Sequence, residues 1–147
     1  MDLKIRILQP QDVEDLNQLL DVFLKAFEEE NPNPPSKEYL AQRLIDPRFI
    51  VLVAEWEGNI IGGITAYELP LLQSAQSEYM IYDVAVAPDM QRKGVGKKMM
   101  EAFMREAQKQ GIQDVFLQTH EEDLHAISFY EKLGGSSEEI RQFIFSS

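Results

Sequence analysis

Cysteine is absent from the 147-residue chain, which excludes disulfides, thiolate metal ligands and a cysteine nucleophile. Long apolar runs are absent as well, and no stretch approaches the length of a membrane span. Asp2 to Arg6 alternates charged and apolar residues, unlike the continuous apolar core of a signal peptide. The two histidines, His120 and His125, form no ligand constellation with their neighbours, so no metal is expected. Basic residues are scarce: 14 Lys and Arg stand against 25 Asp and Glu, a net charge of −11. That surface repels phosphates and anionic lipid, so neither a nucleic acid nor a membrane is an expected partner. A cationic small-molecule substrate would be attracted, although acidic charge also serves plain solubility. The remaining composition, 44% hydrophobic over an ordinary domain length, predicts one domain spanning residues 1–147, in the cytoplasm.

Repeats and low-complexity blocks are missing too, and the periodicity can be read from end to end. Leu3–Ile7 alternates as a strand, and Val13, Leu16, Leu19, Leu20, Phe23, Leu24 and Phe27 recur at helical spacing. Asn31-Pro32-Asn33-Pro34-Pro35 ends that helix, because proline neither continues a helix nor permits one just before it. Ser36 is placed to cap a second helix through Ile45. Phe49–Trp56 and Ile60–Leu69 predict a hairpin around Glu57-Gly58-Asn59, and Ser77–Val86 a further strand. Gly94–Gln110 predicts a helix with Val95, Met99, Phe103 and Ala107 on one face. Asp114–Thr119 then predicts a strand, Leu124–Leu133 a helix and Ile140–Phe145 a last strand. The order β-α-α-β-β-β-α-β-α-β predicts an α/β (α+β) fold, a mixed sheet with helices on its faces.

Chemistry concentrates in Val84-Ala85-Val86-Ala87-Pro88-Asp89-Met90-Gln91-Arg92-Lys93-Gly94-Val95-Gly96-Lys97-Lys98. A strand leads through basic and glycine-containing residues into a helix. Gly94 and Gly96 permit conformations that turn main-chain N–H groups toward an anion, and the following helix adds its positive end. Arg92, Lys93 and Lys97 bring cations to the same place in an acidic chain, so the segment suits a diphosphate. The dinucleotide pattern Gly-x-Gly-x-x-Gly fails at Met99, and the Walker pattern fails at Gln91 and Lys98.

Gln91-Arg92-Lys93-Gly94-Val95-Gly96, after the strand run Val84-Ala85-Val86, resembles the Gln/Arg-x-x-Gly-x-Gly/Ala signature of the GNAT acetyltransferases. Ala126, Phe129, Tyr130, Leu133 and Gly134 match that family's second motif. The resemblance implies a GNAT sheet splayed between its fourth and fifth strands, with acetyl-coenzyme A wedged in the gap as co-substrate. It implies that Val84, Ala85 and Val86 hold the pantetheine arm, that Gln91 through Lys97 hold the pyrophosphate, and that the protein is a homodimer. Within the superfamily, Ala66-Tyr67-x-Leu69-Pro70 and Ser77-Glu78-x-x-Ile81-Tyr82-Asp83 are similar to the aminoglycoside 3-N-acetyltransferases, enzymes of antibiotic resistance. The chain departs from that subgroup in its proline-rich Asn31–Pro35 loop and in its ending, Phe143-Ile144-Phe145-Ser146-Ser147.

Acetyl transfer needs a neutral amine, a polarised thioester carbonyl and a proton for the departing thiolate. Without cysteine, direct attack in a ternary complex is the simplest route. Strict alternation puts Tyr79, Ile81, Asp83 and Ala85 on one face of their strand. Asp83, just before the pantetheine run, is the candidate base; a strand end or a bulge is its other reading. Tyr130, by the family match, is the candidate acid, where the residues alone read as a packed side chain. Glu78, Tyr82, Asp83 and Asp123 match the subgroup and are candidate substrate contacts. Glu28, Glu29 and Glu122 join them as carboxylates able to meet a polycation, although any one glutamate is more simply a solvated face. The expected function is transfer to the 3-amino group of an aminoglycoside. Other amines (a polyamine, an amino sugar, a protein N-terminus) and a non-catalytic coenzyme A module are the alternatives.

Overall fold

The computed structural model describes residues 1–147. Its elements are β1 (Lys4–Ile7), α1 (Val13–Ala26), α2 (Lys37–Ile45), β2 (Phe49–Trp56), β3 (Asn59–Pro70), β4 (Ser77–Val86), α3 (Val95–Lys109), β5 (Val115–Leu117) and α4 (Leu124–Lys132), with a 3-10 turn at Pro88–Met90. The strands form one sheet in sequence order, antiparallel from β1 to β4, with β5 parallel to β4.

Local chemistry sets most boundaries. Ser36 caps α2 as its type allows: its hydroxyl accepts the Tyr39 N–H at 3.1 Å. The first helix stops earlier than its proline-rich follower requires, at Ala26, because Glu28 turns left-handed with φ 54°. Arg6 joins this helix to the sheet through Asp15 (2.6 Å) and Glu55 (3.1 Å).

Two cores lie on opposite faces of the sheet. On one, Leu16, Leu19 and Phe23 of α1 and Leu40 and Leu44 of α2 cover Val51, Val53 and Ala85. On the other, Val95, Met99, Phe103 and Ala107 of α3 cover Leu52, Ile64, Tyr79 and Ile81, with Phe129 and Tyr130 of α4 against their border. Helices thus occupy both faces of a mixed sheet, as expected. Gly63 lets α1 approach β3: a Cβ there would lie 2.5 Å from Leu19 Cδ1 and 2.8 Å from the Leu52 carbonyl oxygen. Leu19 is fully buried and the oxygen is backbone, so neither can yield cheaply. Gly63→Ala is therefore expected to destabilise by about 1–3 kcal/mol, read as a fall in Tm of several degrees. An unchanged Tm would mean that α1 moves freely on the sheet.

Two expectations are corrected here. Ile140–Phe145 is not a strand; it runs as exposed coil, since no sheet edge lies against it to satisfy its backbone. The strict alternation of β4 also fails. Thr65 pairs with Asp83 but Ala66 with Ile81, so Tyr82 is an extra residue in a β-bulge. The bulge separates Tyr79 and Ile81, in the α3-side core, from Ala85, in the α1-side core.

Candidate active site

The opening in the sheet follows from unequal strand lengths. β4 and β5 pair only over Tyr79–Ile81 with Val115–Leu117, and β4 then continues alone for five residues. The pairing parity shows which backbone groups this leaves. Ala87 donates its N–H to the Ile61 carbonyl of β3 at 2.7 Å. Successive groups alternate along a strand, so the Val84 and Val86 N–H groups point away from β3, into the gap where β5 has ended. The Val86 carbonyl points the same way and accepts from the Gln91 side-chain amide at 3.0 Å. Ala85 turns its backbone to β3 and its side chain into the α1-side core, which leaves it no polar group for the gap.

Beyond β4 the chain is set for an anion. Arg92, with φ 62°, is a non-glycine residue in the left-handed region, a costly conformation that recurs at functional loops. Gly94 follows at φ 80° as the N-cap of α3. Left- and right-handed residues in close succession curl their N–H groups toward one side, at a helix end that carries partial positive charge. The exposed Arg92, Lys93 and Lys97 belong to none of the chain's four ion pairs, which all use Arg6 or Lys37. Unpaired cations in a chain of net charge −11 fit a diphosphate. Val95 is buried, so its side chain anchors the loop and only its backbone remains for binding.

Gly96 serves differently from the sequence expectation. Its φ is not left-handed; a Cβ there would lie 3.3 Å from the Phe129 ring and 4.0 Å from Val86. The residue is small so that the start of α3 can close on α4 and the end of β4. If the loop holds the diphosphate that the resemblance implies, Gly94→Glu is expected to weaken coenzyme A binding about 100-fold or more. A Cβ at that position meets nothing within 4 Å, so the loss comes from the left-handed backbone, about 1–2 kcal/mol, and from a carboxylate facing phosphates. Calorimetry would check it, and an unaltered Kd would remove this loop from the cofactor site.

Asp83 stands at the bulge, half-buried, with Oδ2 accepting from the Thr65 hydroxyl at 2.7 Å. Thr65, 6% exposed, is the one buried polar side chain in the chain. It was legible only as a lone threonine in an apolar strand, and nothing in its own sequence neighbourhood pairs it with Asp83. Oδ1 of Asp83 carries no protein hydrogen bond and remains free for a ligand. Tyr82 beside it is 68% exposed and meets Tyr67 edge-on at 6.1 Å between centroids.

Tyr130 sits on α4, half-buried, its ring 5.1 Å from that of Phe129. Burial pushes its phenol above the ordinary value of 10.0, and the negative charge of Asp123 adds to the shift. The remaining candidates lie on other elements. Glu28 and Glu29 are exposed beyond the end of α1, Glu78 lies near the start of β4 opposite Leu69, and Glu122 is exposed before α4. Asp123 is engaged as the cap of α4, its Oδ1 accepting the Ala126 N–H at 3.0 Å. No three His, Asp or Glu side chains converge as a ligand set for a metal, and no helix is long and apolar enough to cross a membrane.

Known proteins are similar to this chain. An aminoglycoside acetyltransferase, meta-AAC0020, from an uncultured soil metagenomic sample, solved in complex with sisomicin, is 33% identical with a TM-score of 0.95, covering 99% of this chain and 96% of that one. The ribosomal protein bS18-alanine N-acetyltransferase of Escherichia coli K12 is 32% identical over 72 residues, 49% of each chain, so the match spans about half the length of that relative. An uncharacterized N-acetyltransferase of Bacillus subtilis 168, YhfO, is 25% identical over 90% of this chain and 89% of its own. The sequence pattern of the acetyltransferase (GNAT) family matches residues 16–135. A splayed parallel strand pair, a basic glycine loop at a helix start and a family pattern over most of the length agree: the chain belongs to the acetyltransferase (GNAT) family.

Proposed function

We propose that this protein transfers the acetyl group of acetyl-coenzyme A to an amine of an aminoglycoside, at the 3-amino group, in the cytoplasm, with residues 1–147 acting as one catalytic domain. The observation that carries the reading is the free oxygen of Asp83 at the bulge of β4, directly before the two unpaired amides of Val84 and Val86. When bound, acetyl-coenzyme A supplies the thioester carbonyl that an amine attacks and the thiol that leaves. The Val84 and Val86 amides and the 91–97 loop are its holders, because their donors and cations are unspent. A backbone N–H at the bulge is fixed in place and can stabilise charge developing on an oxygen beside it without reorganising.

Asp83 binds the incoming ammonium and takes a proton from it at Oδ1, directly or through water, while Thr65 holds Oδ2. Tyr130 holds its proton at neutral pH, since burial disfavours the phenolate, and so can donate it to a departing thiolate. Acidic side chains at Glu28, Glu29 and Glu122, exposed and outside every ion pair, favour a substrate with several positive charges. The sisomicin complex of the similar metagenomic enzyme supports the same acceptor class.

Release of free thiol from acetyl-coenzyme A, followed with sisomicin, gentamicin, spermidine and an alanine-terminated peptide, tests the reading. Turnover confined to the two drugs, with the product acetylated at the 3-amino nitrogen, is expected. Turnover only with the peptide would favour the alternative suggested by the ribosomal-protein relative, and turnover only with spermidine a polyamine acetyltransferase.

A homodimer belongs to the same proposal. No residue after Ala107 is buried, although Phe116, Leu124, Ile140, Phe143, Ile144 and Phe145 all follow it. Side chains such as Phe145, 94% exposed, leave apolar surface that a second copy would cover. Light scattering at micromolar concentration is expected to give twice the chain mass, and a monomer mass would overturn the dimer.

A further inference from the structure

One cation, on α2, has no role in the proposed reaction. Tyr82 leads to Tyr67, and Tyr67 to Phe49 at 5.3 Å between centroids, so an aromatic wall runs from the bulge across β3 to the start of β2. Four residues before β2, α2 ends at Ile45, and it carries Tyr39 and Arg43 one turn apart. The Arg43 guanidinium lies over the Tyr39 ring at 5.2 Å. It makes no ion pair and no hydrogen bond, and its Nε is the one buried side-chain nitrogen or oxygen in the chain without a partner. In a chain with 25 acidic side chains, an arginine left so is unusual.

Arg43 and Asp83 act on the same group. Burial raises the Tyr67 phenol above its ordinary value first, the negative charge of Asp83 raises it further, and the positive charge of Arg43 opposes them; Tyr39 and Tyr82 also bear on it. A carboxylate at the bulge and a guanidinium on α2 thus flank the row of tyrosines Tyr82, Tyr67 and Tyr39. A guanidinium only donates hydrogen bonds. An ammonium satisfies Asp83 and is repelled by Arg43, so whatever satisfies Arg43 must offer an acceptor oxygen.

We propose that Arg43 is a specificity-determining residue of the acceptor site, donating to a hydroxyl or ring oxygen of the substrate and so selecting amines carried on hydroxylated rings over plain polyamines. The inference rests on the reading of Asp83 as the amine-binding carboxylate. It explains how an acidic protein discriminates among polycations that charge alone would attract equally. A protonated polyamine has no oxygen to offer, and its charge is opposed at the same point.

Arg43→Gln and Arg43→Lys test it, with KM, kcat and equilibrium Kd measured for sisomicin, equilibrium Kd measured for spermidine, and unfolding followed to confirm that the variants fold. Losing one charge-assisted hydrogen bond corresponds to roughly a 10- to 100-fold effect. Arg43→Gln is expected to raise KM and Kd for sisomicin about tenfold or more, with kcat within twofold, and to lower or leave unchanged the Kd for spermidine. Arg43→Lys keeps the charge without the planar fork and is expected to fall between for sisomicin while still opposing spermidine. Equal changes for both acceptors, or none, would overturn the role of Arg43 while leaving the acetyltransferase reading intact. Failure of the unaltered protein to bind and acetylate sisomicin would overturn both.

Discussion

Asp83→Asn lowers kcat for the accepted amine by about 10²- to 10⁴-fold at neutral pH, the range of a lost general base, or roughly 3–5 kcal/mol of barrier. The substitution is nearly isosteric, and the amide oxygen can still accept from Thr65, so the bulge and the β3–β4 pairing should persist. On the proposed role, the charge that would bind the ammonium and the oxygen that would take its proton are lost together. KM for the amine should therefore rise while the Kd for coenzyme A stays unchanged. Raising the pH should partly restore turnover, because more of the amine is already neutral. Thr65→Val is the companion measurement: it keeps the carboxylate but removes its 2.7 Å partner, and a smaller loss in kcat is expected. Wild-type turnover by Asp83→Asn across the pH range would remove Asp83 as the base and leave it as a bulge residue.

Tyr130→Phe lowers kcat by about 100-fold or more, with little change in amine KM. Phenylalanine keeps the ring contact with Phe129 at 5.1 Å and removes only the hydroxyl, so a loss of turnover reports the proton rather than the packing. The pH profile separates these further. Burial and the charge of Asp123 disfavour the phenolate, so the Tyr130 proton is held to pH values above the ordinary 10.0. Activity that depends on this proton should rise as the amine deprotonates, and should not fall again until the pH passes 10.0. The alkaline fall should vanish in Tyr130→Phe. An alkaline limb well below that value, or its persistence in the variant, would assign the limb to another group and return Tyr130 to the core.

These two side chains differ in how legible they were. Tyr130 has no signal of its own: a tyrosine on an amphipathic helix reads as packing, and it half is, against the α3-side core. Only the family motif around it suggested chemistry. Asp83 carried a local signal, since a carboxylate in an apolar strand must find a partner. That partner, Thr65, lies 18 positions away and is reached only by strand pairing. The other acidic candidates, Asp123 by its match to the subgroup and Glu28 and Glu29 by charge, had no such local signal. Asp123 proved to be a helix cap, and Glu28 and Glu29 lie beyond α1, because composition predicts an acidic surface without saying which carboxylates converge.

Local chemistry by itself determined the element order as far as α4, the cap at Ser36, the basic Gln91–Lys97 loop at the start of a helix and the acidic surface. Each depends on residues within a few positions of one another, where hydrogen bonding and periodicity act directly. Tertiary structure decided what local rules cannot reach. The bulge at Tyr82 reversed the faces of β4 because β4 had to pair with a β3 of fixed register. The early end of β5 freed the Val84 and Val86 amides, and the close approach of Phe129 to Gly96 brought α4 to the Gln91–Lys97 loop. Ile140–Phe145 had the composition of a strand but no edge to join. A strand exists only where another backbone completes its hydrogen bonds, and that partner is named by the fold rather than by the segment itself.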